Sequence, residues 1–584
     1  MTCRRIGVLA AVALLLAPVA LAQTQADPEA ESGFRPKPEI RAERFMIVAA
    51  HPLAAEAGAE ILREGGSAVD AAIAAQLVLN VVEPQSSGIG GGAFALHWDA
   101  AEGALTSWDG RETAPASARP DMFLGPDGEP KPFLEAVASG SSVGVPGLVR
   151  MMGEMHARHG ALPWARLFEP AIDLAENGFT VSPRLSVMLG LFGDRLQGDA
   201  AETFAGPLGV PLLPGMTLKQ PALAKTLRAI AEGGPDAFYA GPVAEAIIAS
   251  VAAGDDGAVM TEADLAAYPA KERPALCLLY RARFEICGMG PPSSGATTIG
   301  QILGLLDHFP LPALGPTDPR ARHLFAEASR LAYADRAAYL ADPDFVSVPA
   351  KGLLDPGYLT LRAQSIDPDN AAAPYAKAGN PPWREGRLDY APSPHEGRPG
   401  TTHLSVVDAA GDALAMTSSI ETAFGSGRMA AGFLLNNQLT DFSFRPEIDG
   451  KPVANAVAPG KRPRSSMAPT LIFGTDRSEG PILVLGSPGG SRIIEYVAST
   501  AIAVLDWQMG PAEAAALPHV SQRNGDQTQV EDGAAGDRIA EALTLMGHSV
   551  KRGAMTSGLH LIQRRDGALI GGADPRREGA ASGE

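Results

Sequence analysis

A proline-rich stretch directly before an apolar run at Thr401 constrains the fold of this chain more than any other sequence feature. Between Asp367 and Gly400, prolines stand at positions 368, 374, 381, 382, 392, 394 and 399. Proline removes a backbone hydrogen-bond donor and disfavours helical conformation in the residue before it. The sequence therefore predicts an irregular segment that ends where a strand begins, which is unusual inside a compact chain.

The abrupt change at Thr401 has two interpretations. One is an ordinary loop that leads into a strand, and this stretch alone favours it. The other is a chain that is cut between Gly400 and Thr401, so that Thr401 becomes a new N-terminus. A threonine with a free α-amino group carries a nucleophile and its base in one residue.

Composition and charge exclude some classes of function. The 584 residues are 46% hydrophobic, which is enough for a sizeable core in a few large domains. The formal net charge of -18 argues against nucleic acid as a partner. The histidines are scattered along the sequence, and no group of His, Cys and carboxylate residues has metal-ligand spacing, so we assign no metal.

The first 22 residues have the pattern of a secretory signal peptide. Two arginines precede an apolar run over residues 6–19, and Ala20-Leu21-Ala22 supplies the small residues of a cleavage site. The run is short for a membrane span, no later stretch is long and apolar enough to be one, and no cysteine follows as in a lipoprotein. We therefore expect cleavage after Ala22 and a periplasmic or secreted protein without a stable membrane anchor.

Two cysteines remain after the signal peptide is removed, and both flank a predicted hairpin. A three-residue loop centred on Ala282 would place Cys277 opposite Cys287, whereas a two-residue loop would put them on opposite faces. An exported protein can form this disulfide, so we treat it as possible and leave the loop length open.

Hydrophobic periodicity predicts a mixed helix and sheet protein. Residues 53–82 indicate two alanine-rich helices, the second of which begins near Ser67. Strands are expected at Ala93–Trp98, Thr401–Asp408, Ala413–Ile420, Thr470–Phe473 and Ile482–Leu485, and further helices at Arg492–Trp507 and Pro511–Ala516.

Two common motifs occur in the wrong structural context. Residues 88–93 match a dinucleotide-binding fingerprint, but a strand-like run follows them where a helix should begin. Residues 140–144 match the nucleophile elbow of serine hydrolases, but the segment before them is helical in character. We therefore expect tight turns at both places.

Three polar segments have the chemistry of a binding site, although each alone is also typical of an ordinary loop. Gly486–Arg492 follows an apolar strand and opens a helix, so its backbone N–H groups can bind an oxyanion. Lys461–Ser466 combines cations and hydroxyls, which suit a carboxylate. Asn436–Phe442 carries amide and carboxylate groups that suit an ammonium group.

In this order, the segments resemble the γ-glutamyltranspeptidase family of the N-terminal-nucleophile hydrolase superfamily, over nearly the whole mature chain. The matching segments are His51–Ala54, Gly65–Ala72, Gly88–Phe94, Pro291–Gly295, Thr401–His403, Leu435–Gln438, Arg462–Met467, Gly486–Arg492 and Ala573–Arg576. The resemblance implies an α+β fold, a four-layer αββα sandwich. It also implies self-cleavage at Gly400-Thr401 into a large subunit, 23–400, with a flexible end at 366–400, and a small subunit, 401–584. These form a heterodimer without a cofactor.

The resemblance also implies a role for individual residues in cleaving the γ-glutamyl bond of donors such as glutathione. The expected catalytic groups are the nucleophile Thr401, the hydroxyl of Ser419 and the oxyanion-binding backbone of Gly489 and Gly490. The acyl group would pass to water or to an amino acid or peptide acceptor. The α-carboxylate of the donor would be held by Arg111, Ser465 and Ser466, and its α-ammonium group by Gln438 and Asp441.

Two departures from the family pattern leave the substrate open. Glu421 stands where many members have asparagine, beside the position of the donor ammonium group. The segment between Phe442 and Arg464 is short and lacks the tyrosine that some relatives carry on a lid loop. A glutaryl-type acylase on the same scaffold is therefore the alternative enzyme, and a catalytically silent binding protein is the alternative from another class.

Overall fold

The computed structural model describes residues 33–253, 259–372, 374–382, 389–393 and 400–584. The expected signal peptide and part of the proline-rich segment lie outside these ranges. The described residues between Ile366 and Gly400 contain neither helix nor strand, as the prolines predict. None of the described helices has the length and apolar character needed to span a membrane.

Two seven-stranded sheets form the centre of the protein. In spatial order, the first contains Ile40–Ala42, Ala568–Ala573, His560–Arg565, Pro481–Gly486, Thr470–Phe473, Phe284–Gly288 and Leu276–Tyr280. The second contains Ala580–Gly583, Met46–Ala49, Thr401–Val407, Ala413–Ser419, Gly92–Asp99, Ala104–Gly110 and Lys271–Arg273. Every pairing within both sheets is antiparallel, which suits strands joined by hairpins and long excursions.

Four smaller groups of strands are separate from the two seven-stranded sheets among the described residues. They are Phe179–Thr180 with Thr217–Leu218, Met429–Ala430 with Phe433–Leu434, Glu447–Ile448 with Lys451–Pro452, and the set Val520–Ser521, Thr528–Glu531 and Val550–Gly553.

The α-helices fall into two groups along the chain. Those before residue 270 are Pro52–Arg63, Ala68–Val82, Phe133–Ala138, Leu148–His159, Glu169–Asn177, Pro183–Phe192, Asp199–Thr203, Pro221–Gly233, Asp236–Tyr239, Gly241–Ala252 and Glu262–Ala266. Those after it are Gly295–Leu306, Leu311–Leu314, Pro319–Tyr339, Ala350–Leu353, Pro356–Ala363, Ile493–Leu505, Pro511–Ala515 and Ala534–Leu545.

Three hydrophobic cores show how these elements are layered. One core joins the early helices, including Ala68–Val82, to the second sheet through residues such as Leu404 and Met416. A middle core lies between the sheets and contains Trp98 and Phe473. The third joins the first sheet to the late helices. The order helix, sheet, sheet, helix confirms the predicted αββα sandwich, in which each sheet buries both faces.

The predicted elements around residues 53–82 are confirmed. The helices are Pro52–Arg63 and Ala68–Val82, and the second begins at a capping box in which Ser67 and Asp70 satisfy each other's backbone N–H groups. All residues of this second helix are buried, which explains why its sequence is predominantly apolar.

The hairpin between the cysteines has the three-residue loop of the first alternative. Tyr280 pairs with Phe284, and Cys277 lies directly opposite Cys287. The two sulfur atoms are bonded. The thiols are therefore not available as metal ligands, although Glu285 lies close to both.

Candidate active site

Thr401 is the first residue of a strand in the middle of the second sheet. It is only 3% exposed, and the adjacent strand places Ser419 directly opposite it. The Ser419 hydroxyl donates a hydrogen bond of 2.8 Å to the carbonyl oxygen of Gly400 and accepts one of 2.8 Å from the backbone N–H of Glu421. The predicted cleavage point therefore has a hydroxyl donor on its own carbonyl group.

Close backbone contacts explain why glycine stands at position 400. A Cβ atom added to Gly400 would lie 2.5 Å from the carbonyl oxygen of Glu421 and 2.6 Å from two atoms of Thr422. Such distances are too short for any side chain without a shift of the backbone. Glycine therefore allows the residue before Thr401 to pack against the turn that follows Ser419.

The glycine-rich turn after Pro481–Gly486 lies beside this position. Gly490 lines the same pocket as Thr401, and Gly489 precedes it with a φ of 136°. A Cβ atom on Gly489 would lie 2.5 Å from the Tyr496 ring. Positive φ and close packing both require glycine at this position, and the turn leads into the helix Ile493–Leu505. The predicted strand, turn and helix are therefore present.

A cation and an anion stand side by side in the pocket wall. The Arg111 guanidinium donates to the Asp441 carboxylate, and Gln438 Nε2 donates to the same carboxylate oxygen at 2.9 Å. Arg111 is 1% exposed, so this pair is largely desolvated. A zwitterionic α-amino acid group has the complementary pair of charges.

Glu421 adds a second carboxylate to the anionic side. Its side chain is 4% exposed and accepts a hydrogen bond of 2.9 Å from Asn437 Nδ2. Burial, together with the charge of Asp441, raises the pKa of Glu421 well above its usual range. Its backbone has a φ of 79°, which is unusual for a residue other than glycine and indicates local strain at the pocket.

The hydroxyl groups expected to bind a carboxylate also line the pocket. Ser466 Oγ accepts a hydrogen bond of 2.7 Å from Arg336 Nη2. Because a guanidinium group only donates, the proton of the Ser466 hydroxyl points to a different acceptor. Ser465 lies next to it, and its carbonyl oxygen accepts a bond of 2.6 Å from the Ser294 hydroxyl.

The cations of the segment before these serines are directed elsewhere. Lys461 Nζ binds the carbonyl oxygens of Ala454 and Ala456, and Arg462 binds Asp109 at 2.5 Å. The interpretation of this whole segment as a carboxylate site was therefore wrong for Lys461 and Arg462, because buried internal acceptors bind both. Arg464 lines the pocket, but its guanidinium group also donates to buried carbonyl oxygens, those of Arg336, Leu340 and Ser393.

The pocket brings together most of the predicted site residues. Thr401, Ser419, Gly490, Arg111, Glu421, Gln438, Asp441, Ser465 and Ser466 all line it. Sequence reasoning missed Arg336, Met467, Ser491 and Ile493 as lining residues. Arg336 lies on the helix Pro319–Tyr339, far from Thr401 in the sequence, and no motif pointed to it. Asn437, which holds Glu421, lay within the predicted ammonium-binding segment.

The two motifs that we discounted have structural roles. A Cβ atom on Gly90 would lie 2.2 Å from the carbonyl oxygen of Leu434, so this glycine allows two backbones to touch. In the second motif, the hydroxyl of Ser142 donates to the carbonyl oxygens of Val137 and Ser139. Ser142 is fully buried and has no nucleophilic role in this arrangement.

A four-layer sandwich with a threonine at the start of a central strand defines the N-terminal-nucleophile class of hydrolases. The model of the family described as gamma-glutamyltranspeptidase matches residues 54–584, so the chain belongs to the γ-glutamyltranspeptidase family.

Three comparisons describe its relatives. The chain is 40% identical to the glutathione hydrolase proenzyme of Bacillus subtilis (strain 168) over 92% of this chain and 91% of that one. It is 36% identical to the acylase ACY 1 proenzyme of Pseudomonas sp. (strain SE83), over 92% and 93%. Its fold is similar to the crystal structure of cephalosporin acylase from Bacillus halodurans, with a TM-score of 0.81 and 27% identity over 94% and 97%.

Proposed function

We propose that this protein is a self-processing γ-glutamyl hydrolase and transferase that acts on glutathione and related donors. The observation that carries the proposal is the geometry around Thr401. The nucleophile begins a strand, Ser419 donates to the carbonyl group before it, and a pocket complementary to an α-amino acid opens beside it. The family membership and the glutathione hydrolase relatives support the same activity.

Self-cleavage would use the groups already in contact. The Thr401 hydroxyl attacks the carbonyl carbon of Gly400, and the Ser419 hydroxyl stabilises the oxyanion that forms. The C–N bond then breaks, the nitrogen takes up the hydroxyl proton, and an ester links Gly400 to Thr401 Oγ. Water hydrolyses this ester. The products would be the large subunit, 23–400, and the small subunit, 401–584, which begins with a free α-amino group.

Catalysis would repeat this chemistry on the donor. Asp441, Glu421 and Gln438 would hold the α-ammonium group, and Arg111 with the two serine hydroxyls of residues 465 and 466 would hold the α-carboxylate. These contacts present the γ-carbonyl carbon to Thr401, whose amino group accepts the hydroxyl proton. The leaving amine takes up that proton, and a γ-glutamyl ester remains.

The second half of the reaction would release the acyl group. The backbone N–H groups of Gly489 and Gly490 would stabilise the oxyanion in both halves. Water gives hydrolysis, and the amino group of an amino acid or peptide gives transfer. No step requires a metal or an organic cofactor.

The first test is the variant Thr401→Ala. We expect one uncleaved chain and no γ-glutamyl turnover, whereas the native protein should give two chains, the smaller beginning Thr401-Thr402-His403. Intact mass, N-terminal sequencing and release of a γ-glutamyl anilide measure these outcomes. A processed and active Thr401→Ala protein would refute the proposal. Ligand binding without turnover in fully processed native protein would support the silent binding protein instead.

The likeness to cephalosporin acylase supports a second candidate, a glutaryl-type acylase. A glutaryl group lacks the α-ammonium group, so it would leave the Glu421 carboxyl group without a cationic partner, while Asp441 stays paired with Arg111. Rates on a γ-glutamyl anilide and on a glutaryl anilide separate the two enzymes. We expect the γ-glutamyl compound to be strongly preferred, and equal rates would favour the acylase.

We also propose that the protein is exported, with cleavage after Ala22. The basic, apolar and small-residue pattern of the first 22 residues supports this, as does the disulfide between Cys277 and Cys287. N-terminal sequencing of the large chain from a periplasmic or culture fraction tests it. A protein that retains Met1 and stays in the cytoplasmic fraction would contradict it.

A further inference from the structure

Three buried side chains with metal-ligand chemistry meet outside the pocket. They are His323, Glu327 and His548, which are 0%, 2% and 5% exposed. One ligand atom from each lies within 4.8 Å of the other two. The Nδ1 atom of His323 is 2.8 Å from Nε2 of His548, and the latter atom is 4.0 Å from Glu327 Oε1.

The fold explains how residues so distant in sequence come together. His323 and Glu327 are four residues apart on the helix Pro319–Tyr339, so they lie on one face. His548 lies in the turn between the helix Ala534–Leu545 and the strand Val550–Gly553. A backbone hydrogen bond of 2.8 Å, from the N–H of Ala371 to the carbonyl oxygen of Met546, holds this turn against the segment that follows Ile366.

Outer hydrogen bonds fix the orientation of both imidazole rings. His323 Nε2 is 2.8 Å from the carbonyl oxygen of Asp367, which only accepts, so this nitrogen carries a proton. In the neutral ring, Nδ1 of His323 therefore has a free lone pair that points into the group. His548 Nδ1 is 3.0 Å from the Thr528 hydroxyl, which can either donate or accept.

We propose that His323, Glu327 and His548 form a zinc-binding site. Two imidazole nitrogens and one carboxylate are a common ligand set for zinc, and a water molecule completes the tetrahedron. Ligand atoms at zinc bond lengths of about 2.1 Å lie about 3.4 Å from one another. The contacts of 2.8 and 4.0 Å bracket this spacing, and all three ligand atoms lie within 4.8 Å of one another, so shifts of about an ångström would bring them to it.

The hydrogen bonds around the site are compatible with both a bare and a metal-bound state. Without metal, His548 Nε2–H donates to His323 Nδ1. With zinc, the proton of His548 moves to Nδ1 and is donated to Thr528, which frees Nε2 as a ligand. The Glu327 carboxylate accepts from Arg330 at 2.8 Å and from Ala372 N–H at 3.3 Å, and its remaining lone pairs can bind the ion. Each imidazole thus has the hydrogen-bonded outer partner that metal-bound histidines have.

The chemistry of the ligands selects zinc over the hard cations. Calcium and magnesium prefer sets of oxygen ligands, whereas imidazole nitrogen suits zinc.

The ligands come from both predicted subunits, since His323 and Glu327 precede the cleavage point and His548 follows it. If cleavage at Gly400-Thr401 takes place as proposed, the zinc ion would be bound by residues of both chains and would stabilise their association. The site itself does not depend on that proposal.

The test measures zinc in the purified protein. The full chain is produced without a polyhistidine tag in zinc-supplemented medium, washed with a chelator by gel filtration, and analysed by elemental mass spectrometry. We expect about one zinc ion per molecule in the native protein. We expect almost none in His548→Gln or Glu327→Gln. Growth with cobalt instead should give the visible absorption of a tetrahedral Co²⁺ centre only in the native protein.

A matched control separates this site from other histidines. His308 is exposed, and its Nε2 atom lies 3.4 Å from the Thr360 hydroxyl, so His308→Gln should keep the full zinc content. Processing into two chains and γ-glutamyl turnover show that each variant has folded. A native protein without zinc, or equal zinc in native protein and both site variants, would overturn the proposal. Loss of turnover in native protein would instead count against the proposed function.

Discussion

The pocket at Thr401 and the buried histidine group differ in how much strain the chain carries. Around the pocket, Glu421 and Phe424 have positive φ although neither is glycine, and Gly400 is packed against a neighbouring turn. In the histidine group, His323 and Glu327 lie in a regular helix and Thr528 in a strand, and the positive φ beside His548 belongs to Gly547, which adopts it without strain. Strained conformations persist only where the surrounding structure enforces them, and they cluster at functional sites.

The two regions also treat charge differently. In the pocket, the carboxyl groups of Glu421 and Asp441 stand close together, and the Arg111 guanidinium pairs with Asp441, so Glu421 remains to face a cationic ligand. In the histidine group, Glu327 pairs with Arg330 at 2.8 Å, and the imidazoles satisfy each other. We infer that the pocket is built for reaction and the histidine group for stability. Substitutions should therefore change chemistry at one and stability at the other.

The largest effect after loss of Thr401 itself is expected from Ser419→Ala. This change removes the donor on the Gly400 carbonyl group, and loss of one oxyanion donor lowers a rate by about 10²- to 10³-fold. Conversion of precursor into two chains, followed over time on denaturing gels, measures it. Ser419→Thr keeps a hydroxyl group and serves as the control. Cleavage of Ser419→Ala at the native rate would show that this contact has no role.

Asp441→Asn should weaken the donor site strongly. It removes the carboxylate that bonds the Arg111 guanidinium, which is 1% exposed and then has only the more distant carboxyl group of Glu112 at 3.8 Å, and it removes a charge that would face the ammonium group. Loss of one partner of a buried pair costs about 2–4 kcal/mol, or about 30- to 1,000-fold in kcat/KM. Turnover of γ-glutamyl anilide measures the loss, and complete cleavage of the precursor shows that folding is intact. An unchanged kcat/KM would remove Asp441 from the donor site.

The sequence predicted the parts of the pocket that depend on local pattern. Hydrophobic periodicity and glycine content predicted the strands that begin at Thr401 and end near Ser419 and the turn that holds Gly489 and Gly490, whereas the roles of these residues came from the family resemblance. Periodicity predicted a mixture of helix and sheet, and the four-layer sandwich was what the family resemblance implied. The strands and the turn require only that a segment forms its preferred local structure.

The sequence could not predict contacts that tertiary packing creates. Arg336 reaches Ser466 from a helix in the other predicted subunit, and His323 meets His548 across 225 positions. The directions of Lys461 and Arg462 were also hidden, because they depend on which buried acceptors lie nearby. Burial of a charged group is decided by the whole fold, so motif chemistry alone does not show which cation faces a ligand.

A moderate and pH-dependent effect is expected from Glu421→Gln. Ionised Glu421 attracts the donor ammonium group, so the KM of the native enzyme should fall as pH rises through the raised pKa of this carboxyl group. The variant should lose this slope and have a KM about three- to tenfold higher at the upper end, which corresponds to about 1 kcal/mol, the net contribution of a typical hydrogen bond. Measurement of KM between about pH 5 and 8 checks this. The donor ammonium group stays charged over most of this range, because the reference pKa of an α-amino group is about 8.

Ionisation of Glu421 should strengthen donor binding but lower the stability of the folded protein as pH rises. A carboxyl group whose pKa is raised on folding stabilises the protein fully below its unfolded value, 4.5, and loses this contribution as pH rises. Glu421→Gln should therefore gain stability relative to the native protein as pH increases.

The control for the KM measurement is Glu495→Gln. Burial raises the pKa of Glu495 to about 7, and this variant should keep the native dependence of KM on pH. If Glu421→Gln keeps the native dependence of KM on pH, a different group is responsible for that dependence.

The smallest effect on chemistry is expected from His548→Gln, which completes the comparison. This residue contacts His323 and Thr528 and none of the pocket residues, so kcat/KM and precursor cleavage should stay at native values. In zinc-free protein, the lost buried contacts should lower the apparent Tm by about 1–2 °C in a protein of this size, and in zinc-loaded protein the loss of the bound ion should lower it further. Thermal unfolding at one scan rate, with γ-glutamyl turnover on the same samples, checks both parts. A large fall in turnover at unchanged Tm would break the comparison, because the histidine group would then be coupled to the chemistry at Thr401.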